Sequence, residues 1–251
     1  MEEENDFDHL KVGDKDSSGR KIKFIHAKVL GKYIIYETTE RQVLIAGDSV
    51  SLANNSRLNK LLTQIADLTT HTPSLKEKYN SSSAHAMKIF LDGDADASHE
   101  LLRDVYKDMT RYLMRRAKVA YQAGAALLML LSLIVFLIAY RLGISNQLVA
   151  RLFYATVFSS MGGFLSVALS AGKLKIDLQN NLGINALYGS LRILMAMISG
   201  VIVYFLIEER IVLAFLKDTS DINGFIIASF ISGFSEKLIP NLMNHIEAKS
   251  D

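Results

Sequence analysis

The residues with the clearest chemical potential fall in a few short runs. Asp92, Asp94 and Asp96 alternate in DGDADASHE, as at the start of a calcium-binding loop. Such a loop needs Gly at its sixth position and Glu at its twelfth, where this chain has Ala97 and Arg103. Carboxylates gathered at a helix N-terminus, favoured by its dipole, are the simpler expectation. The six histidines show no HExxH-type spacing, so no metal site is expected. Without cysteine there is no thiolate ligand, catalytic thiol or disulfide. GDSVS ends in Ser51 where a nucleophile elbow needs Gly, and no phosphate-cradling GxxxxGK string occurs. Neither catalysis nor a cofactor is expected.

A second group stands out by its surroundings. Arg151, Arg192, Glu208, Glu209, Glu236 and Lys237 lie within or at the ends of long apolar runs. An unpaired charge at the centre of a bilayer costs about 2.5–3.5 kcal/mol, so partners are required. The order of the runs pairs Arg151 with Glu208 or Glu209 at the outer side, and Arg192 with Glu236 at the cytoplasmic side. These pairs are expected as topological staples, with conduction or gating as the alternative. Small residues recur at helical spacing in the same runs: Ser159, Gly163, Ser166 and Ser170; then Ala196 and Gly200; then Gly224, Ala228 and Ser232. Such faces let membrane helices approach closely, which makes packing the default and an aqueous lining the alternative.

The elements that must position these residues follow from how charge is distributed. Of the 251 residues, the first 118 carry 37 charged side chains and the last 133 carry 17, with a net charge of +2. A bilayer core of about 30 Å needs about 20 apolar residues at 1.5 Å each. Residues 119–140, 152–172, 187–207 and 222–239 are the four candidate spans, within a transmembrane region 119–240 and ahead of a tail 241–251. Arg103, Lys107, Arg111, Arg115, Arg116 and Lys118 precede the first span, and Lys173 and Lys175 separate the second from the third. The third-to-fourth connection is acidic instead. The positive-inside rule therefore places both termini and the middle loop in the cytoplasm. Arg111, Arg115, Arg116 and Lys118 are expected to touch lipid headgroups. The run IVLAFL, 211–216, is too short to span and is expected at the outer interface or as a re-entrant segment.

Residues 1–20 are acidic and polar, and are expected to be disordered. KIKFIHAKVL, KYIIYE and RQVLIA read as a three-stranded antiparallel meander, and SVSLA as a short further strand. Leu58, Leu61, Leu62, Ile65 and Leu68 mark an amphipathic helix. THTPSLKEKYNSSSAH, with Pro73 and a serine run, reads as a polar linker and MKIFL as a last strand, completing a small α+β unit over 21–92. Leu102, Val105, Met109 and Tyr112 then begin an amphipathic stalk, 93–118. The stripe suits either a coiled coil or packing on the chain's own domain. No Gly or Pro interrupts it before Gly124, so one helix is expected from about Ala97 to Tyr140, about 65 Å long. The fold class is mostly α: a four-span helical bundle with a small N-terminal α+β unit.

SGFSEKLIP (Ser232–Pro240), with MGGFLS, YGSLRILMAMISG and GDADASHELLRDVYKDM, resembles a group of uncharacterised bacterial polytopic membrane proteins. These share a Gly-Phe-Ser-Glu-basic-x-x-Pro ending on their last span; here Lys237 stands where arginine is expected. The resemblance covers roughly the last 160 residues and leaves out the β-rich unit. Proteins of this build are similar to small membrane effectors of anti-phage systems. The resemblance implies a protein that permeabilises or perturbs the bacterial inner membrane when a cytoplasmic protein or small molecule triggers its N-terminal domain. Because a four-helix monomer has little room for a pore, that reading expects an oligomer. The alternatives are a membrane anchor recruiting a soluble partner and, less favoured, a small transporter. The partners expected are the lipid bilayer and copies of the chain, and the balanced charge gives no reason to expect nucleic acid.

Overall fold

The structure is a computed structural model that describes residues 7–47, 56–70, 73–143, 146–170, 172, 181–212 and 222–235. The chain divides into two units, residues 1–113 and 114–251.

The first unit is built on the meander expected from the β-branched runs. Strands β1 (Ile22–Val29), β2 (Tyr33–Thr38) and β3 (Val43–Gly47) are antiparallel in the order β1-β2-β3. Central β2 is buried along its whole length, which is why YIIY shows no polar alternation. One face, through Tyr33 and Ile35, packs on Ala84 and Met87. Ile34 and Tyr36, on the other face, join Ile22 and Leu10. Gly47 closes the sheet at φ +143°, where a Cβ would run into the Lys32 carbonyl, so only glycine fits.

Residues 7–20 correct the expectation of a disordered acidic tail. They fold against β1 through Gly13 N–H to the Ile22 carbonyl and Ile22 N–H to the Asp14 carbonyl. Asp16, almost fully buried, organises the turn. Its carboxylate accepts from Ser18 N–H (2.9 Å), Arg20 N–H (2.8 Å), Arg20 Nε (3.1 Å) and the Tyr36 hydroxyl (3.2 Å). Burial opposes its charge, but the backbone N–H groups of Arg20 and Ser18 and the Arg20 guanidinium outweigh that. Its carboxyl is held below the ordinary carboxylate range.

Helix α1 (Ser56–Thr70) follows the leucine spacing. Over 73–91 the expected linker and final strand give way to one 19-residue helix, α2 (Pro73–Leu91). Pro73 opens this helix, a position where proline's missing N–H costs nothing. Its buried side mixes the small residues Ser83, Ala84 and Ala86 with Leu75 and Met87. Such a stripe reads as polar or neutral in the sequence. SVSLA lies outside the described residues.

Helix α3 (Ala95–Arg141) runs 47 residues without a break, about 70 Å, as the absence of early Gly or Pro suggests. Asp94 caps it by accepting from Ala97 N–H at 2.9 Å. Asp92 accepts from the Tyr33 hydroxyl at 2.9 Å instead. Burial, with the hydrogen bond and charge of Asp92, pushes that phenol up to about 12. Leu102, Val105 and Met109 are buried with Leu58, Ile65, Leu75 and Ala86, so the stripe packs on its own unit. Ser98 Oγ ties α3 to α2 by donating to the Ala86 carbonyl at 2.7 Å.

The second unit contains the rest of α3 with α4 (Gln147–Ser170), α5 (Leu182–Glu208) and α6 (Ile222–Phe234). Helices α3, α4 and α5 are long and apolar enough to cross a membrane. The most apolar 18-residue window of α3 is only 17% buried, and Leu127, Leu131, Ile134 and Ile138 all face outward. A surface of this kind is consistent with a helix that faces lipid. The α6 helix has 13 described residues, about 20 Å, shorter than a bilayer core of about 30 Å. The remainder of the expected fourth span, 236–239, lies outside the described residues, as do residues 213–216 of IVLAFL.

The Asp16 turn gives the first prediction. Asp16→Asn should lower the stability of the N-terminal unit by about 1.5–3 kcal/mol at pH 7, read as lost amide-exchange protection in β2 of the full-length protein. Because the folded carboxyl titrates below its unfolded value, its contribution is present above about pH 4 and fades as pH falls further. The gap between variant and wild type should therefore close in acid.

Candidate functional site

The candidate site is the set of charged and hydroxyl side chains carried by the apolar helices. Arg151 sits in the second turn of α4 and Glu208 is the last residue of α5. Arg151 Nη1 lies 3.6 Å from Glu208 Oε2, both side chains partly exposed. Of the two acidic partners expected for Arg151, the structure brings up Glu208. Glu209 is exposed and its backbone N–H closes the helix on the Phe205 carbonyl. Arg210 follows at φ 57°, turning the chain out of the helix.

Arg192 is the only arginine or lysine within the described apolar stretch of α5. It reaches the end of α4, with Nη1 donating to Ser170 Oγ at 3.2 Å and Nη2 to Ser166 Oγ at 3.5 Å. Both serines come from the small-residue stripe, so part of that stripe serves a guanidinium. Ser170 is the last residue of α4, where helix carbonyls concentrate negative potential that suits a cation. Glu236, the expected partner, lies outside the described residues, as does Lys237.

The rest of the small-residue pattern is packing. Gly163 fits against the Ala196 methyl, and Gly200 against Ser159 and the Ala155 carbonyl. Ala228 and Ser232 are buried on α6, and Gly224 is half-buried. Four glycines outside the expected stripes matter as much. Gly162 sits on the Phe230 carbonyl and Gly233 on the Ser159 carbonyl, a reciprocal seam between α4 and α6. Gly124 meets Ala186 and Gly189 meets the Tyr121 carbonyl, the same arrangement between α3 and α5. Close backbone approach is the main source of attraction once lipid removes the hydrophobic incentive.

The hydroxyls on these helices are largely consumed locally. Ser159 donates to the Thr156 carbonyl, Ser229 to Phe225 and Ser232 to Ser229, each within its own helix. Besides Ser166 and Ser170, two hydroxyls among the described residues reach across: Ser190 Oγ to the Gly124 carbonyl at 2.9 Å, and Ser132 Oγ to Ser160 Oγ at 2.9 Å. Phe136, Tyr140 and Tyr154 cluster near the α3–α4 turn, where aromatic rings suit a membrane interface.

Among the four basic residues expected at headgroups, Arg111 has a carboxylate neighbour, Asp108, at 3.4 Å. Lys118 donates to the Gly172 carbonyl at 3.2 Å, linking the start of the apolar part of α3 to the end of α4. Arg115 and Arg116 lie between them on α3. Among the described residues no cluster of His, Asp and Glu could hold a metal. Comparison with protein-family models, curated proteins and solved structures finds no match.

The ion pair makes a direct prediction. Arg151→Glu or Glu208→Arg alone should reduce the yield of folded protein in detergent several-fold, because each leaves two like charges about 4 Å apart. The double swap should restore it, as measured by size-exclusion profile and melting temperature. Additive losses in the double variant would show that the pair contributes nothing.

Proposed function

We propose that the chain is a regulated membrane effector with its N-terminal unit in the cytoplasm of a bacterial cell. Several copies together permeabilise the inner membrane when that unit is triggered, in the manner of small anti-phage effectors. The observation that carries this reading is α3. Its first half supplies Leu102, Val105 and Met109 to the core of one unit, and its second half supplies Tyr121 and Ala125 to the core of the other. A change that shifts this helix in the first core must also shift it in the second, because a continuous helix transmits axial or rotational displacement.

This reading calls for several copies, and the packing of the same helices supports it. The reciprocal glycine contacts and the locally bonded hydroxyls leave little room at the crossings between neighbours within one chain. Any water path would therefore form between chains, with Arg192 and the Arg151–Glu208 pair as the charges whose partners change on opening. The tight packing also favours a second reading. Spans that only fill space suit an anchor, with the N-terminal unit recruiting a soluble partner.

Induced expression and triggering should depolarise cells, read with a potential-sensitive dye. Gly163→Leu, which drives a side chain into Ala196, should abolish the effect at an equal amount of inserted protein. An unchanged potential at full expression would refute the effector reading. Activity that survives replacement of the spans by unrelated ones would establish the anchor.

A further inference from the structure

A groove of about 460 Å³ opens in the N-terminal unit where β3, α1 and α2 meet. Its apolar wall is formed by Leu62 and Ile65 of α1 and Met87 of α2, with the Tyr79 ring beside them. The rim is cationic: Arg41 precedes β3 and Lys76 stands in the first turn of α2, while no carboxylate lines the space. Lys76 has no carboxylate within ion-pair distance among the described residues, whereas Arg41 Nη2 lies 3.7 Å from Glu77 Oε2. The polar groups at the mouth are held in place. Asn80 Nδ2 donates to the Arg41 carbonyl at 3.3 Å, and Gln42 Oε1 accepts from Arg20 at 3.0 Å.

We infer that this groove binds a small organic anion with a flat ring, of about the size of a mononucleotide. A pocket of several hundred Å³ with apolar walls and a few fixed polar groups is the common form of a small-molecule site. The aromatic and aliphatic wall suits the face of a ring, and the side amides of Gln42 and Asn80 suit its polar edge. Lys76 and Arg41 suit a phosphate or carboxylate at the mouth. The position also matters for coupling. Leu62, Ile65 and Met87 line the groove, and Ile65 shares a core with Leu102, Val105 and Met109 of α3. Occupancy is thus one side chain removed from the helix that enters both units. That binding acts as the trigger rests on the effector reading; that binding occurs does not.

The test is calorimetry on the full-length protein in nanodiscs, with AMP and 1-naphthyl phosphate as anionic probes and adenosine as the uncharged comparison. Saturable binding of at least one anion below about 1 mM is expected, with adenosine about tenfold weaker. Thr63→Trp, at an exposed position on the groove wall, should abolish binding, and Lys76→Gln should weaken it about tenfold. Amide-exchange protection in β2 checks that each variant is folded. Failure of both anions to saturate, equal affinity for adenosine, or unchanged binding in a folded Lys76→Gln protein would overturn the site. A bound anion that leaves membrane potential unchanged would uphold the site and count against the effector reading alone.

Discussion

Hydrocarbon offers no hydrogen-bond partner, and the three helices long and apolar enough to cross a membrane are built in a way that meets that constraint. Long helices satisfy their own backbone, and among the described residues none covers the side of α3 that carries Leu127, Leu131, Ile134 and Ile138. Attraction between helices then depends on how closely backbones can approach. Glycine or small residues stand at the crossings: Gly162 and Gly233 between α4 and α6, Gly124 and Gly189 between α3 and α5, Gly163 and Ala196 between α4 and α5. Serine hydroxyls either turn back onto their own helix or bridge to a neighbour, so the polar atoms among the spans add cohesion.

In the first unit the balance is the familiar one of water against an apolar core. The three-stranded sheet is apolar on both faces, so both need cover. It is enclosed by the Asp16 turn on one face and by α2 on the other, while α1 and α3 complete the core behind α2. Asp16 is a buried charge made tolerable by four donors from three residues, and Tyr33 and Asp92 fasten the sheet to the entry of α3. Among the described elements, α3 contributes side chains to a core in each unit.

Much of this was legible in the residues. β-Branched runs marked the meander, leucine spacing marked α1, and a stretch free of helix breakers marked the continuous α3. Charge order along the spans paired Arg151 with one of two glutamates, and geometry selects Glu208. Other features were hidden for physical reasons. The buried side of α2 is formed by serine and alanine as much as by leucine, so its helical stripe at 75, 79, 83, 86 and 90 looked like a polar linker. Turn residues 7–20 looked disordered because their order comes from one buried carboxylate, which composition counts as just another acidic residue. Small-residue stripes were found within single helices, but Gly162, Gly189 and Gly233 matter because of the backbone opposite, which no single helix reveals. The groove beside β3 is assembled from three elements, and none of its residues forms a motif.

The central claim is that the apolar helices cross a membrane with the N-terminal unit inside the cell. The absence of cysteine makes a clean test possible. Single cysteines placed at Ser18, in the N-terminal turn, and at Gln147, at the start of α4, can be probed with a membrane-impermeant maleimide on intact spheroplasts. The account predicts that Gln147→Cys is labelled at once and Ser18→Cys only after lysis. Labelling of Ser18→Cys in intact spheroplasts, or recovery of the protein in the supernatant without detergent, would contradict it.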